Sequence, residues 1–325
     1  MHAWQFEEYG HYNHVLKWCE RENLSPEDDE AVIETRAVSL NFPDLLMCQG
    51  LYQVKAPLPA VLGAEGMGVV IKAGKTSRFR VGERVVGFCH GGGTFADQFI
   101  VNNNNAWTVP DFVDDSTAAA LSVTYGTSYF ALKLRASIQV GETLLVLGAA
   151  GGVGLAAIQL GKIFGASVLA ASGSNEKLEV CKRVGADHVI NYNEEDLVDS
   201  VKSITGGKGA DVVYDPVGGE LFEKTKKCVG WEGRLLIIGF TGGSIPQIET
   251  NRLLLKNISV VGLPWGQYLD RGLESTRLCQ NHLYGLIKVG AINPLVFKTI
   301  QFSEIKEGLK LIEDRRVVGK VVSVR

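Results

Sequence analysis

The apolar positions of this 325-residue chain change their spacing twice. Up to about Ser116 they come in short, β-branched stretches broken by turn residues. Residues 3–9, 15–20 and 31–39 read as strands, and residues 24–30 as a charged turn between the last two. Residues 41–52 carry too many polar side chains for a plain core strand. Residues 62–71, 81–88 and 95–101 then follow closely with glycine corners, which predicts a small closed or partly closed barrel. Beyond Ser116 the spacing turns helical, with segments at 118–121 and 125–132 bridging into a second domain.

From Thr143 strand and helix alternate. Strands are predicted at 143–147, 167–171, 188–190, 212–214, 235–238 and 259–261, with helices at 153–164, 176–184, 196–204 and 221–229. This alternation predicts an α/β domain with a doubly wound parallel sheet. A helical pattern at 269–289, a strand at 297–302, a helix at 305–315 and a strand at 320–324 complete the chain. The expected organisation is a barrel domain at 1–122, an inserted dinucleotide domain at 123–262, and a return to the first domain at 263–325.

Composition refines this only slightly. The chain is 46% hydrophobic and 21% charged, and its length calls for two cores rather than one. A net charge of -3 with pI ≈ 6.1 gives no electrostatic reason to expect nucleic acid or an anionic membrane. Residues 1–20 show no secretory pattern. Six cysteines without a Cys-x-x-Cys pair read as reduced thiols of a cytoplasmic protein.

The stretch with the clearest chemistry is 143–164. A buried strand enters Gly148-Ala149-Ala150-Gly151-Gly152-Val153-Gly154, which opens into a helix with small residues on one face. The spacing Ala149-x-Gly151-x-x-Gly154, with alanine at the first position, fits a dinucleotide pyrophosphate held on backbone N–H groups at a helix N-terminus. At the end of the second strand stand Ala171-Ser172-Gly173-Ser174, with Lys177 a turn further on. An NAD site would place a carboxylate there; hydroxyls and a lysine suit a 2′-phosphate, which favours NADPH. An N-capping serine and a solvated lysine are the plainer explanation of the same residues. Asn41, Asp44 and Tyr52 form a polar constellation able to polarise a carbonyl and move a proton. A turn-forming Asn-x-Pro-Asp and an amphipathic tyrosine explain it equally well. No histidine or cysteine shows metal-ligand spacing, so the chain reads as metal-free, and no nucleophile elbow is present.

Taken together, these motifs resemble the medium-chain dehydrogenase/reductase superfamily and, within it, the zinc-free quinone oxidoreductase (zeta-crystallin-like) family. The residues that carry the likeness include Asn41-x-x-Asp44, Gly50-x-Tyr52, Pro57-Leu-Pro59, Gly63-x-Glu65-x-x-Gly68, Val81-Gly82-Glu83-Arg84-Val85, Thr124-Tyr125-Gly126-Thr127, Lys182-x-x-Gly185-Ala186-Asp187, Gly233-Arg234 and Gly319-Lys320. Gly262-Leu-Pro-Trp265-Gly266-x-Tyr268 looks most like the quinone oxidoreductase-like 2 branch.

The resemblance implies a GroES-like β-barrel catalytic domain and an inserted Rossmann domain, with NADPH in the cleft between them. It places Asn41 and Thr127 beside the nicotinamide and Ala150, Gly151, Gly152, Val153 and Gly154 at the pyrophosphate. Ser172, Gly173, Lys177 and Tyr192 then surround the 2′-phosphate, Gly239, Phe240 and Thr241 flank the ribose, and Lys320 closes over the cofactor. Asn41 and Tyr52 polarise the acceptor oxygen, and Tyr52 or solvent supplies the proton. Zinc-dependent relatives carry a cysteine near 41 and a histidine at 64; this chain has Asn41 and Ala64. Leu46 and Cys48 stand where some relatives have tyrosine and arginine, which leaves the acceptor pocket open. The expected activity is NADPH-dependent reduction of small-molecule quinones or related conjugated carbonyls by a homodimer. Enoyl or alkenal double-bond reduction is the alternative, and a non-enzymatic NADPH-binding protein the reading from another class.

Overall fold

Strands whose apolar residues alternate with polar ones bury one face, and in the first third of the chain they do so by pairing antiparallel. In the computed structural model, which describes residues 1–272 and 274–325, residues 1–123 and 266–325 form one unit and residues 124–265 another. The first unit begins with β1 (His2–Phe6), α1 (Tyr12–Val15), β2 (Lys17–Glu20), β3 (Glu30–Leu40), α2 (Phe42–Cys48), β4 (Ala60–Val61), β5 (Glu65–Ala73), β6 (Arg84–Phe88), β7 (Gln98–Asn102) and β8 (Ala106–Thr108). Helix α3 (Asp115–Tyr129) and a π-helical turn at Phe130–Arg135 lead onward.

The second unit runs β9 (Thr143–Val146), α4 (Gly152–Ile163), β10 (Ser167–Ser172), α5 (Asn175–Arg183), β11 (His188–Asn191), α6 (Leu197–Ile204), β12 (Ala210–Asp215), α7 (Phe222–Cys228), β13 (Val229–Ile237), α8 (Thr250–Lys256) and β14 (Ser259–Gly262). Its strands lie in the order β11-β10-β9-β12-β13-β14, all parallel. The chain reverses direction of travel across the sheet between β9 and β12, the switch point where such sheets bind ligands. Leu145, Leu147, Leu169, Ala171, Val213 and Leu235 pack its core. The return segment adds α9 (Trp265–Asp270), α10 (Glu274–Lys288), β15 (Val296–Gln301), α11 (Ile305–Glu313) and β16 (Lys320–Val324).

Strand β3 is the spine of the first unit. One edge pairs with β5 along its length. The other edge takes β7 at Glu30 to Glu34 and β16 at Ala37 to Leu40. A smaller sheet, β2-β1-β4, stands apart from this one. Trp4, Phe6, Tyr12, Leu16, Leu45, Ile305 and Leu309 pack against the β16 side of β3.

Several predicted elements differ in detail. The 3–9 strand ends at Phe6, and the 15–20 strand opens as α1, because His11 caps a helical turn through Asn13 N. The two bridging segments run without a break through α3 into the π-helical turn, with no glycine or proline at 122–124 to interrupt them. The 269–289 helix is divided into α9 and α10, with residue 273 outside the described residues. Helix α8 was not anticipated: none of its seven residues is buried, so it carries no apolar stripe to read.

The contact of β5 with β3 is close enough to demand glycine at 68. A Cβ there would fall 1.9 Å from the Glu34 carbonyl oxygen. Gly68→Ala is therefore expected to cost about 3 kcal/mol by forcing the strands apart, read as a lower urea midpoint at unchanged slope.

Candidate active site

In the second unit the turn after β9 is built from backbone alone. Ala149 N–H donates to Ala171 O at 3.1 Å, fixing the turn on β10, and Gly151 caps α4. A Cβ on Gly154 would lie 2.6 Å from the carbonyl oxygens of both Gly148 and Ala149, so only glycine lets the first helical turn sit on the loop. The N–H groups of Gly152, Val153 and Gly154 open the helix and have no partner within it. Together with the helix dipole they make an anion seat. Ala150 is buried behind them. Thr127, nine-tenths buried, lies on α3 beside Ser128, whose hydroxyl donates to Val153 O and pairs with Tyr214 Oη at 2.9 Å.

The end of β10 meets the end of β11. Tyr192 N–H donates to Ser172 O at 3.2 Å, and Asn193 Nδ2 donates to Gly173 O at 2.8 Å. A Cβ on Gly173 would come within 3.0 Å of the Tyr192 ring. Ser172, Gly173 and Tyr192 thus sit together, with Lys177 half-buried on the first turns of α5. Asn191, not anticipated from the sequence, organises this corner by donating to Asn175 Oδ1 and accepting from Asn193 N–H. A strand-ending Asn-x-Asn is the signal that would have found it.

Gly239, Phe240 and Thr241 follow β13 and are tied to the loop after β12. Thr241 donates through both N–H and Oγ1 to Pro216 O. That loop is held by Asp215, a second residue the sequence reading missed. Its Oδ1 accepts from Val217 and Gly218 N–H at 2.7 and 2.9 Å, while Oδ2 is buried without a hydrogen bond. Burial raises its pKa, opposed by those two amides.

In the first unit, register gathers the site. β16 meets β3 with Val321 opposite Leu40 and Val322 opposite Ser39, so the next step sets Lys320 opposite Asn41. Glu65 lies opposite Ser39 on the other edge. Period-two alternation puts Ser39, Asn41, Glu65 and Lys320 on one face. Lys320 Nζ donates to Leu40 O at 3.0 Å, Asn41 Oδ1 at 2.6 Å and Glu65 Oε1 at 3.0 Å. Asn41 Nδ2 donates to Ser39 O at 3.1 Å and Glu65 Oε1 at 3.0 Å. Glu65 Oε2 accepts from Val123 N–H at 3.0 Å.

This geometry corrects three expectations. Lys320 is 5% exposed and all three of its N–H bonds are committed, so it has none to close over a cofactor. Asn41 has spent both amide hydrogens, and its side-chain oxygen accepts from Lys320 and shares a capping box with Asp44, so it cannot polarise an acceptor by donation. Asp44 is wholly buried and acts as a helix cap, its Oδ2 accepting from Asn41 N–H at 2.7 Å. The Ala64 amide approaches Asp44, but Oδ1 completes no hydrogen bond. Burial pushes the Asp44 carboxyl up to about 7, against the pull of Asn41 N–H and Lys320. Tyr52 packs half-buried on the apolar cluster around Leu45. Burial and then the Asp44 charge raise its pKa, leaving a neutral phenol.

Comparison with known proteins fits this architecture. Residues 27–111 match the alcohol dehydrogenase GroES-like domain, and residues 152–277 match the zinc-binding dehydrogenase family. The quinone oxidoreductase-like protein 2 homolog of Nematostella vectensis is 38% identical over 293 residues, covering 89% of this chain and 80% of that protein. This chain belongs to the quinone oxidoreductase family of medium-chain dehydrogenases/reductases. Its fold superposes on the Escherichia coli quinone oxidoreductase solved with NADPH, with TM-score 0.94, 30% identity and complete coverage of both chains. The CurK enoyl reductase is also similar, with TM-score 0.88, 26% identity and coverage of 99% and 98%. One of the two family descriptions names zinc-binding dehydrogenases. Ala64 supplies no ligand, Glu65 is already neutralised by Lys320, and among the described residues no three His, Cys, Asp or Glu side chains cluster as a metal site. Among the described residues no helix is long and apolar enough to cross a membrane.

Asp44 yields a pH test. The folded chain keeps its proton to about pH 7, while an aspartate released from burial loses it near 3.8. Between those values the folded state binds more protons, so this group's contribution to stability falls as pH rises, by on the order of 4 kcal/mol in total. Asp44→Asn keeps the acceptor for Asn41 N–H without the charge. Its stability relative to the parent should climb from pH 4 to pH 7 and then level; urea unfolding across that range reads the difference, and a flat difference would contradict the buried proton.

Proposed function

We propose that this chain reduces quinones and related conjugated carbonyls with NADPH and without zinc, in the cytoplasm. The observation that carries the reading is the end of β10. It presents a serine, a glycine and no carboxylate, packed beside Tyr192 and near Lys177, next to a glycine turn shaped for a pyrophosphate. A carboxylate there would repel a 2′-phosphate by charge; hydroxyls and an ammonium attract one. The E. coli relative solved with NADPH supports the same cofactor, and the six free cysteines suit a reducing compartment.

In this reading the bound cofactor supplies the hydride or electrons. Gly151, Gly152, Val153 and Gly154 hold the pyrophosphate on backbone amides, with Ala150 closing the turn beneath. Ser172, Gly173, Lys177 and Tyr192 hold the 2′-phosphate. Thr127 and Gly239 to Thr241 border the nicotinamide end. The neutral Tyr52 phenol is the proton donor that the first unit presents to an acceptor oxygen, with solvent as the other source. Double-bond reduction of enals or enoyl groups is the second reading, favoured by the likeness to the CurK enoyl reductase.

The test is oxidation of NADPH and NADH with an ortho-quinone, a para-quinone and a simple enal, followed by loss of dihydronicotinamide absorbance. Turnover with NADPH and a quinone is expected. Lys177→Ala should lower kcat/KM for NADPH about tenfold to a hundredfold through a charge-assisted hydrogen bond, with little change for NADH. Preference for NADH would sink the cofactor assignment, and turnover of the enal alone would move the substrate class.

A homodimer belongs to the same proposal. β14 is an edge strand of the parallel sheet, and the neighbouring α8 exposes Leu254 at 81% and Leu255 at 75%. An open strand edge beside apolar side chains suits pairing with a second copy. Leu254→Asp with Leu255→Asp should convert a dimer to a monomer by light scattering, with the unfolding midpoint of the isolated chain kept.

A further inference from the structure

Strand β6 brings a histidine to the same end of the first unit's sheet as Glu65. Phe88 lies opposite Glu65, and Glu65 opposite Ser39, so the three share one face of the sheet. Beyond Phe88 the chain turns along residues 62–64, with Cys89 N–H donating to Ala64 O at 2.7 Å and Thr94 N–H to Gly63 O at 3.1 Å. His90 stands in that turn, its ring 5.8 Å from the Phe88 ring and its side chain 20% exposed. Gly266 lets α9 approach both rings: a Cβ there would lie 3.2 Å from Phe88 Cε1 and 3.5 Å from His90 Cε1. Four residues on, along the same side of that helix, Asp270 Oδ2 lies 2.6 Å from His90 Nδ1. A carboxylate can only accept, so Nδ1 carries a hydrogen there and the ring's chemistry is left to Nε2. A Cβ on Gly91 would meet nothing within 4 Å, so open space adjoins the imidazole. The charged group facing the ring from α9 is Asp270; residues 62–64 beside it are uncharged, and the Cys89 thiol turns to Ile100 O at 3.4 Å.

A carbonyl reduced by hydride becomes an oxyanion that must take a proton. Lys320 and Asn41 have committed their hydrogens, Asp44 is wholly buried, and burial makes the Tyr52 phenol a weaker acid. Histidine is the side chain that gains and loses a proton near neutral pH, and a carboxylate behind it fixes the tautomer and orientation. We propose that His90 is a general acid of the reduction and Asp270 its positioning residue, resting on the reading of the chain as an NADPH-dependent reductase. As the acceptor takes a hydride from the nucleotide, two electrons and one hydrogen, its oxygen draws the proton from His90 Nε2. The N–H bond breaks as the O–H bond forms. The neutral ring keeps its Nδ1 hydrogen on Asp270 and regains a proton from water, so acceptor, NADPH and one proton become reduced acceptor and NADP⁺. His90 thereby stands where the proposed function has unassisted solvent.

His90→Gln, His90→Ala and Asp270→Asn are compared with the parent, with circular dichroism for folding and nucleotide fluorescence for NADPH affinity. His90→Gln should lower kcat for a quinone about a hundredfold at pH 7 and leave NADPH affinity unchanged. In the parent, kcat should fall as pH rises, because only the protonated ring can give a proton; His90→Gln should lack that limb. Asp270→Asn removes the anion that favours the charged ring, so the limb should move to lower pH. Added imidazole should restore part of kcat to His90→Ala, which a merely structural histidine would not allow. In the chain without nucleotide, the His90 ring resonances should titrate at lower pH in Asp270→Asn than in the parent, and coincident titrations would overturn the role of Asp270. A kcat in His90→Gln within about twofold of the parent, or a loss of NADPH affinity in step with kcat, would overturn the proposal. A parent chain that binds NADPH but reduces no quinone or enal would sink the reductase reading, and the acid with it.

Discussion

A buried ammonium must find three acceptors or remain in water, and Lys320 meets that demand at the seam of the first unit. Desolvating an ammonium and a carboxylate costs several kcal/mol each unless they face one another with their remaining hydrogen bonds satisfied. Here the acceptors are Leu40 O at the end of β3, Asn41 at the start of α2, and Glu65 at the start of β5. Glu65 in turn reaches Val123 on α3, the last residue of the first unit before the chain departs. One ion pair therefore ties together five elements, β16, β3, α2, β5 and α3, and none of them could shift without exposing a charge to an apolar surround.

The arrangement also explains why β16 has to come back. Residues 124–265 interrupt the first unit, and the return strand supplies the cation for Glu65. Without β16, Asp44 and Glu65 would be two buried carboxylates with no positive partner, and the edge of β3 from Ala37 to Leu40 would be unpaired. Pairing of that edge and neutralisation of the site are accomplished by the same five-residue strand.

How much of this is legible in the sequence follows from how local each signal is. The parallel sheet could be read because each strand and helix carries its own pattern, and Gly151 to Gly154 announce a phosphate turn within a few residues. The lack of a carboxylate after Ala171 is equally local. Helix α8 was illegible because it buries nothing, and α1 because its cap rests on a histidine, an unusual capping residue. Asn41 could be picked out as polar in an apolar setting, yet its polarity as donor or acceptor depends on Lys320, whose partnership exists only through the register of β16 on β3. A lysine near a chain's end gives no hint that all its hydrogens are taken. Asp215 and Asn191 escaped for the same reason: their hydrogen bonds shape turns whose importance lies in what the turns support.

The charge count around Asn41 carries one last step. With its carboxyl pushed up to about 7, Asp44 is substantially protonated near neutral pH, leaving Lys320 and Glu65 as one positive and one negative charge. The cluster is then close to neutral and already satisfied. A divalent cation added there would carry two uncompensated charges into a low-dielectric surround, with Ala64 giving it no ligand. As pH rises past Asp44's transition the cluster gains one negative charge, held by the Asn41 N–H and the attraction of Lys320. An ammonium that has its own carboxylate thus organises the amide beside it.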